Sequence, residues 1–213
     1  MTNAFRPRLV IMLKEPKAGR VKSRLARDVG AVAATRFYRE TMTSVAWRLG
    51  NDPRWQTLLA ISPDAAIDSK TIPAGTQRIR QRSGDLGQRL QRVVECVPPG
   101  PVVIIGTDIP GITPANIWAA FRALGSHDAV FGPASDGGYW LVGLKRRPNC
   151  PRIFESVRWS TAFALADTKA NLLGLKCAEI DVKDDVDAGG DLVRLTRLAG
   201  RRILPLSRCA GLY

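Results

Sequence analysis

An apolar run, Val102-Val103-Ile104-Ile105, stops at Gly106-Thr107 and is followed by Asp108, Ile109 and Pro110. A carboxylate at the end of a buried strand is well placed to hold a hard cation, because Mg²⁺ takes oxygen ligands, usually one or two carboxylates completed by waters and substrate phosphates. Ile109-Pro110 restricts the backbone after it and turns the next segment away. The same aspartate is equally suited to capping a turn before Thr113. A second stretch, "KEPKAGRVKSRL" (14–25), gathers Lys14, Lys17, Arg20, Lys22 and Arg24 around Gly19. It lacks the P-loop spacing. It can still cradle phosphate through backbone N–H groups and cationic side chains, or be an ordinary basic surface loop. A third, "DVKDDVDAGGDL" (181–192), crowds Asp184, Asp185, Asp187 and Asp191 together. Like charges so close repel unless a cation sits among them. Alternatively, Asp187 and Asp191 serve the start of a last helix. A fourth, "GPASDGGYWLVGL" (132–144), puts two glycines after Asp136, which permits a tight turn and close approach to a ligand. Tyr139 and Trp140 can flank a base or sugar there, or be core aromatics behind a plain β-turn.

These residues need elements to carry them. "RLVIML" (8–13), "TLLAIS" (57–62), "VVIIG" (102–106), "DAVFGPA", "YWLVGL" and "CAEIDV" (177–182) read as strands. The basic stretch from Lys14 to Gly30 reads as a loop. Helical spacing appears at Ala34, Tyr38, Met42, Val45 and Leu49, and at Leu86, Leu90, Val93, Val94 and Val97. Thr113-Pro114 starts another helix that buries Ile117, Phe121 and Leu124. Further stripes run through Phe163, Ala166, Ala170 and Leu173, and through Leu192, Leu195 and Leu198. Short apolar strands alternating with helices predict an α/β fold with a mostly parallel sheet covered on both faces. Ligands of such sheets bind outside the carboxyl ends of the strands. That rule sends the basic loop, Asp108 and the Asp136 turn to one rim.

The chain has 213 residues, is 45% hydrophobic and carries a formal charge of +13. This size fits one domain with its own core; residues 1–200 are taken as that domain and 201–213 as a basic tail, open to packing on it or to a homodimer contact. The charge suits anionic partners, but Lys and Arg are scattered and no nucleic-acid-binding motif is present, so nucleic acid is not expected. No apolar run approaches the roughly 20 residues of a membrane span. The start of the chain reads as a strand rather than a signal peptide. Four dispersed cysteines and the lone His127 argue against structural zinc and for free thiols in a cytoplasmic protein, with Cys96 in the core.

Taken in order, "KxPxxGxxKSRL", "GTDIPG", "GPASDGGYWLVGL" and "DDVDAGGDL" resemble a bacterial family of GT-A-fold nucleotide-diphospho-sugar transferase-like proteins. Its members are labelled glycosyltransferase-like or radical-SAM/selenodomain-associated transferase, and some are assigned to arsenosugar biosynthesis. It is related to the 2-phospholactate and, more distantly, the molybdenum cofactor guanylyltransferases. "SGDLGQRL" (83–90) fits the family's D-L-G-x-R segment. The resemblance implies a GT-A fold, an Mg²⁺ or Mn²⁺ ion held by Asp108 with Asp185 and Asp187, and Lys22 and Arg24 facing nucleotide phosphates. It adds Lys14, Gly19, Asp85, Gly137 and Gly138 to the nucleotide-binding set, and makes Asp108, Lys22 and Asp136 the catalytic candidates. Asp136 would orient an acceptor hydroxyl or act as base. One departure is plain: the D-x-D of GT-A glycosyltransferases is reduced here to Asp108-Ile109-Pro110.

The activity implied is transfer from a nucleoside diphosphate sugar to a small-molecule acceptor, with metal and basic loop neutralising the departing diphosphate. The alternative is nucleotidyl transfer from an NTP to a small phosphorylated or carboxylic acid, releasing pyrophosphate. A non-catalytic basic nucleotide- or nucleic-acid-binding protein is the third reading.

Overall fold

The computed structural model describes residues 5–146, 150–186 and 189–191. These residues form one seven-stranded sheet flanked by helices. The strands are β1 (Arg8–Lys14), β2 (Gln56–Ser62), β3 (Gln77–Arg80), β4 (Val102–Ile105), β5 (Ala129–Pro133), β6 (Tyr139–Leu144) and β7 (Cys177–Glu179). The helices are α1 (Ser23–Val29), α2 (Ala31–Gly50), α3 (Leu86–Cys96), α4 (Pro114–Ala123) and α5 (Ala164–Ala170). The strand order is β3-β2-β1-β4-β6-β5-β7. β1 pairs in parallel with both β2 and β4, whereas β6 runs antiparallel to β4 and β5. The expected mostly parallel sheet is therefore present, with β6 as the reversed member.

The strands read as unbroken apolar runs because both faces are covered. In β1, Leu9, Ile11 and Leu13 enter the core beneath α2 and α4, while Val10 enters the core beneath α3. Each fully buried aliphatic side chain of this kind contributes about 1.5–3 kcal/mol of transfer free energy. The cap read at Thr113-Pro114 is a capping box in which Thr113 and Asn116 exchange hydrogen bonds, with Pro at the first turn.

Several expectations need correction. The stretch after Lys22 is not all loop: α1 covers Ser23–Val29, although Leu25 is the one buried residue of that short helix. β3 was not read as a strand because Ile79 is its one apolar residue and the strand lies at the sheet edge. The stripe through Phe163 and Leu173 is not a buried face; they are 52% and 91% exposed, and Ala164, Thr168 and Leu172 are buried instead. Cys96 is exposed rather than core, with its Sγ donating to the Val93 carbonyl. Cys150 and Cys177 are free, as expected. No helix among the described residues is long and apolar enough to cross a membrane. The helix read at Leu192–Leu198 and the tail 201–213 lie outside the described residues.

Candidate active site

The direction of strand addition reverses between β1 and β4: β2 and β3 lie on one side, β6, β5 and β7 on the other. A crevice opens at the carboxyl ends of strands at such a switch point. Here it is a cavity of about 610 Å³, bordered by Lys14, Lys22, Arg24, Arg89, Asp108 and Tyr139 among others.

The wall formed by the ends of β1 and β4 is built by buried hydrogen bonds. Tyr38 on α2 is 5% exposed. Its hydroxyl accepts from the Lys14 N–H at 2.8 Å and donates to the Lys14 carbonyl at 3.1 Å. It also accepts from the Thr107 hydroxyl at 3.3 Å. One phenol thus joins the residue that ends β1 to the residue before Asp108. Burial raises its pKa, so it stays a neutral bridging group. On the other flank, Gln81 is 2% exposed and donates to the Leu13 and Ala60 carbonyls. Its side-chain oxygen accepts from Arg89 at 3.1 Å, which fixes that guanidinium at the cavity.

Asp108 and Lys22 meet on this wall. Lys22 Nζ lies 2.7 Å from Asp108 Oδ1; the lysine side chain is 4% exposed and the aspartate side chain 47%. Lys22 occupies the N-cap of α1 in a left-handed conformation, φ 48° and ψ 49°, with its carbonyl accepting from Ala26 N. A non-glycine residue held there stores strain, a feature that concentrates at ligand-handling sites. The acidic segment reaches the same corner. Val186 N donates to the Asp108 carbonyl at 3.3 Å, and the Val186 side chain packs with Leu25, Ala34 and Phe37. Just beyond, Gly189 N donates to Asp28 on α1 at 2.8 Å. The backbone next to Asp185 is thereby joined to that of Asp108. Asp187 lies outside the described residues.

Asp108 supplies one oxygen donor of the kind a hard divalent cation takes. A half-open carboxylate at a strand end already faces a cation, the Lys22 ammonium, at contact distance. Asp185 precedes Val186, whose N–H is bonded to the Asp108 carbonyl. Among the described residues no group of three or more His, Cys, Asp or Glu converges. Two carboxylates plus waters and phosphates is how Mg²⁺ is commonly bound.

The remaining sequence candidates fall elsewhere. Lys14 and Arg24 line the cavity. Gly19 sits in the preceding turn at φ 75° and is not among the lining residues. Asp85 is the N-cap of α3, closing a capping box with Gln88. Leu86 and Arg89, one helical turn on, belong to the same D-L-G-x-R segment and do line the cavity. Tyr38 and Gln81 were missed altogether: Tyr38 reads as one of a helical apolar stripe, and Gln81 follows a strand that polar residues conceal. Asp136 is exposed and accepts from Gly138 N at 2.9 Å, fixing its own turn outside the cavity lining. Gly137, at φ 84°, has Ala162 so close that a Cβ would lie 2.2 Å from its carbonyl oxygen. Gly138 shares that turn, and Tyr139 and Trp140 after it do line the cavity. Trp140 packs over Gly132 and donates its indole N–H to the Asp181 carbonyl.

A sheet of this order, with one reversed strand and a cavity at the β1/β4 switch point, defines the GT-A-like, nucleotide-diphospho-sugar transferase fold. The chain belongs to the family described as "Uncharacterized protein conserved in bacteria (DUF2064)", whose model matches residues 44–161. It is similar to a protein from Desulfovibrio desulfuricans G20 assigned as a nucleotide-diphospho-sugar transferase, with 27% identity, a TM-score of 0.83, and 93% of this chain and 89% of that one covered. It shares its fold with a CMP:2-keto-3-deoxy-manno-octonic acid synthetase solved with CTP, at 12% identity and a TM-score of 0.56, covering 91% and 98% of the two chains. It likewise shares it with Rv0371c of Mycobacterium tuberculosis H37Rv solved with manganese, at 19% identity and a TM-score of 0.52, covering 91% and 98%. No curated protein matches the chain.

Proposed function

We propose that this chain is a divalent-metal-dependent transferase that takes a nucleoside diphosphate sugar and passes its sugar to a small-molecule acceptor. The observation that carries the reading is the Lys22–Asp108 pair inside the cavity at the β1/β4 switch point. Asp108, with Asp185 and Asp187 from the acidic segment, would hold the metal. Bound there, Mg²⁺ or Mn²⁺ would neutralise the charge that develops on the diphosphate. Lys22, Arg24 and Arg89 bring further positive charge to the same volume, fixed before the reaction begins, which is where electrostatic stabilisation is most effective. Lys14 stands at the lip. Tyr139 and Trp140 offer aromatic surface on the opposite bank. Asp136 holds the turn that presents them, and the acceptor approaches from that side.

The likeness to the Desulfovibrio protein supports sugar transfer. A second reading, transfer of a nucleotidyl group from an NTP with release of pyrophosphate, draws on the relative solved with CTP. The two part at the product. Incubation with a panel of nucleotide sugars and NTPs, plus Mn²⁺ and candidate acceptors, is expected to release nucleoside diphosphate. Release of pyrophosphate instead establishes the second reading. Thermal shifts that are equal in wild type and Asp108→Ala, with and without metal, would remove Asp108 from both.

A further inference from the structure

The geometry points to a second ligand site, outside the crevice, that takes an α-amino acid with an apolar side chain: its carboxylate on Arg92, its ammonium on Asp85 and its side chain over Trp159. The site is a cavity of about 500 Å³ between α3 and the segment 152–159, a size usual for small-molecule sites. It shares no lining residue with the crevice, so it stands or falls apart from the reading above.

Helix α3 parts the two cavities. Leu86, Arg89 and Leu90 line the crevice, while Asp85, Gln88 and Arg92 line the second cavity. Its charged lining is of both signs, Arg92 and Arg152 against Asp85, Glu95 and Glu155. Three of these already have partners: Arg152 lies 3.2 Å from Glu155, and Glu95 accepts from Gln91 at 2.8 Å. The other two do not meet each other. Asp85 Oδ1 accepts from Gln88 N at 2.8 Å, which leaves Oδ2 without a partner among the described residues. Arg92 makes no hydrogen bond or ion pair among them either. Its guanidinium nevertheless lies at the same end of the cavity: Nη2 is 2.8 Å from where a Cβ on Gly84 would stand, beside Asp85. Opposite charges left apart at one end of a cavity suit a ligand that carries both charges itself and meets each with a charge-assisted hydrogen bond. The floor at that end is aromatic. A Cβ on Gly87 would fall 2.9 Å from Trp159 Nε1 and 2.4 Å from the Phe154 carbonyl oxygen, so helix and indole are in close approach. Trp159 leans edge-on against Tyr139 at 6.3 Å, and its indole N–H has no acceptor among the described residues. A carboxylate seated on Arg92 can accept from it, and an apolar side chain lies against the ring. A plain anion would meet Asp85 with like charge, and an amine alone would leave Arg92 unmatched.

The test is calorimetry on the full chain with L-phenylalanine, L-leucine and L-methionine, each beside analogues that lack the amine or the carboxylate. At least one of these amino acids is expected to bind roughly tenfold or more tightly than either of its analogues, the scale of one charge-assisted hydrogen bond. Arg92→Gln is expected to bring its affinity down to that of the amine. Asp85→Asn, whose side chain keeps the helix cap, is expected to bring it down to that of the acid. Melting curves check that both variants are folded. The site is overturned if none of the three amino acids binds at millimolar concentration, if the analogues bind as well as the amino acid, or if folded Arg92→Gln binds undiminished. Arg89→Gln detects capture by the crevice: binding that falls in this variant and survives in Arg92→Gln places the ligand in the crevice and overturns the second site too.

Discussion

The two ends of the sheet use buried cations in opposite ways. At the amino end of β1, Arg8 donates to the carbonyls of Arg6, Pro98 and Pro99 at 3.1–3.3 Å. Arg146, just past β6, donates to the carbonyls of Val97 and Pro98 at 2.8 and 3.1 Å. Both guanidiniums are pulled below their ordinary pKa, chiefly by burial. Each also keeps a buried Nε with no partner among the described residues. At the carboxyl end, Lys22 meets a carboxylate that is half open to solvent. A cation locked among backbone carbonyls has no second place to go, because the carbonyls belong to the chain that positions it. A cation on an exposed carboxylate can be exchanged for another partner. The first arrangement holds a loop, and the second lines the cavity at the switch point. Part of the large positive charge is therefore architectural and need not be assigned to any ligand.

The contrast is broken or sharpened by four measurements. The largest effect is expected for Asp108→Asn, which should lower turnover by about 10²–10³-fold, the scale of removing one transition-state stabiliser, with little change in melting temperature. Steady-state kinetics beside a thermal melt checks both halves. Arg146→Ala should do the reverse: it strands the Val97 carbonyl, leaves Pro98 with Arg8 alone, and costs about 1–3 kcal/mol in urea unfolding, with kcat/KM per folded molecule unchanged. If instead Arg146→Ala abolishes turnover while stability holds, the division between the two ends is wrong. Tyr38→Phe deletes the hydroxyl that joins Lys14 to Thr107 and should cost about 1 kcal/mol. It should also raise KM more than the equally buried but remote Arg146 change does. The smallest effect concerns pH. Arg158 grips Asp167 through both guanidinium and backbone N–H, lowering the Asp167 pKa from 3.8 to about 2. A depressed carboxylate stabilises the fold above 3.8 and ceases to do so as pH falls toward about 2. Asp167→Asn should melt slightly below wild type at neutral pH, and melting curves of the two should converge as pH falls toward about 2.

Much of this frame was legible in the residues. β1, β2, β4, β5 and β6 are buried on both faces, so their apolar runs stand out without any alternation to decode. Asp108 and the basic loop were placed at one rim by a rule about parallel strands, and the structure brings Lys14, Lys22, Arg24 and Asp108 together there. What escaped notice were residues whose work is done through hydrogen bonds at long sequence distance. Tyr38 acts on residues 24 and 69 positions away, and Gln81 acts on Leu13 across 68. Nothing local marks a tyrosine in an apolar stripe as a bridge between two strand ends. Asp136 shows the converse: an acid followed by two glycines has the look of a reactive group, and in the structure one of its oxygens accepts from Gly138 N within its own turn. The edge strand β3 and the short helix α1 were hidden because neither has enough buried surface to impose a period.

Because β6 runs against its neighbours, its first residue, Tyr139, stands at the same rim as the last residues of β1 and β4. One shore of the crevice is made from strand endings and the other from a strand beginning, with the five-residue bend 134–138 leading into it. Insertions or deletions in that bend would reshape the far shore while leaving the shore that carries Lys22 and Asp108 as it is. A lineage could thus recast one bank of the crevice without disturbing the other.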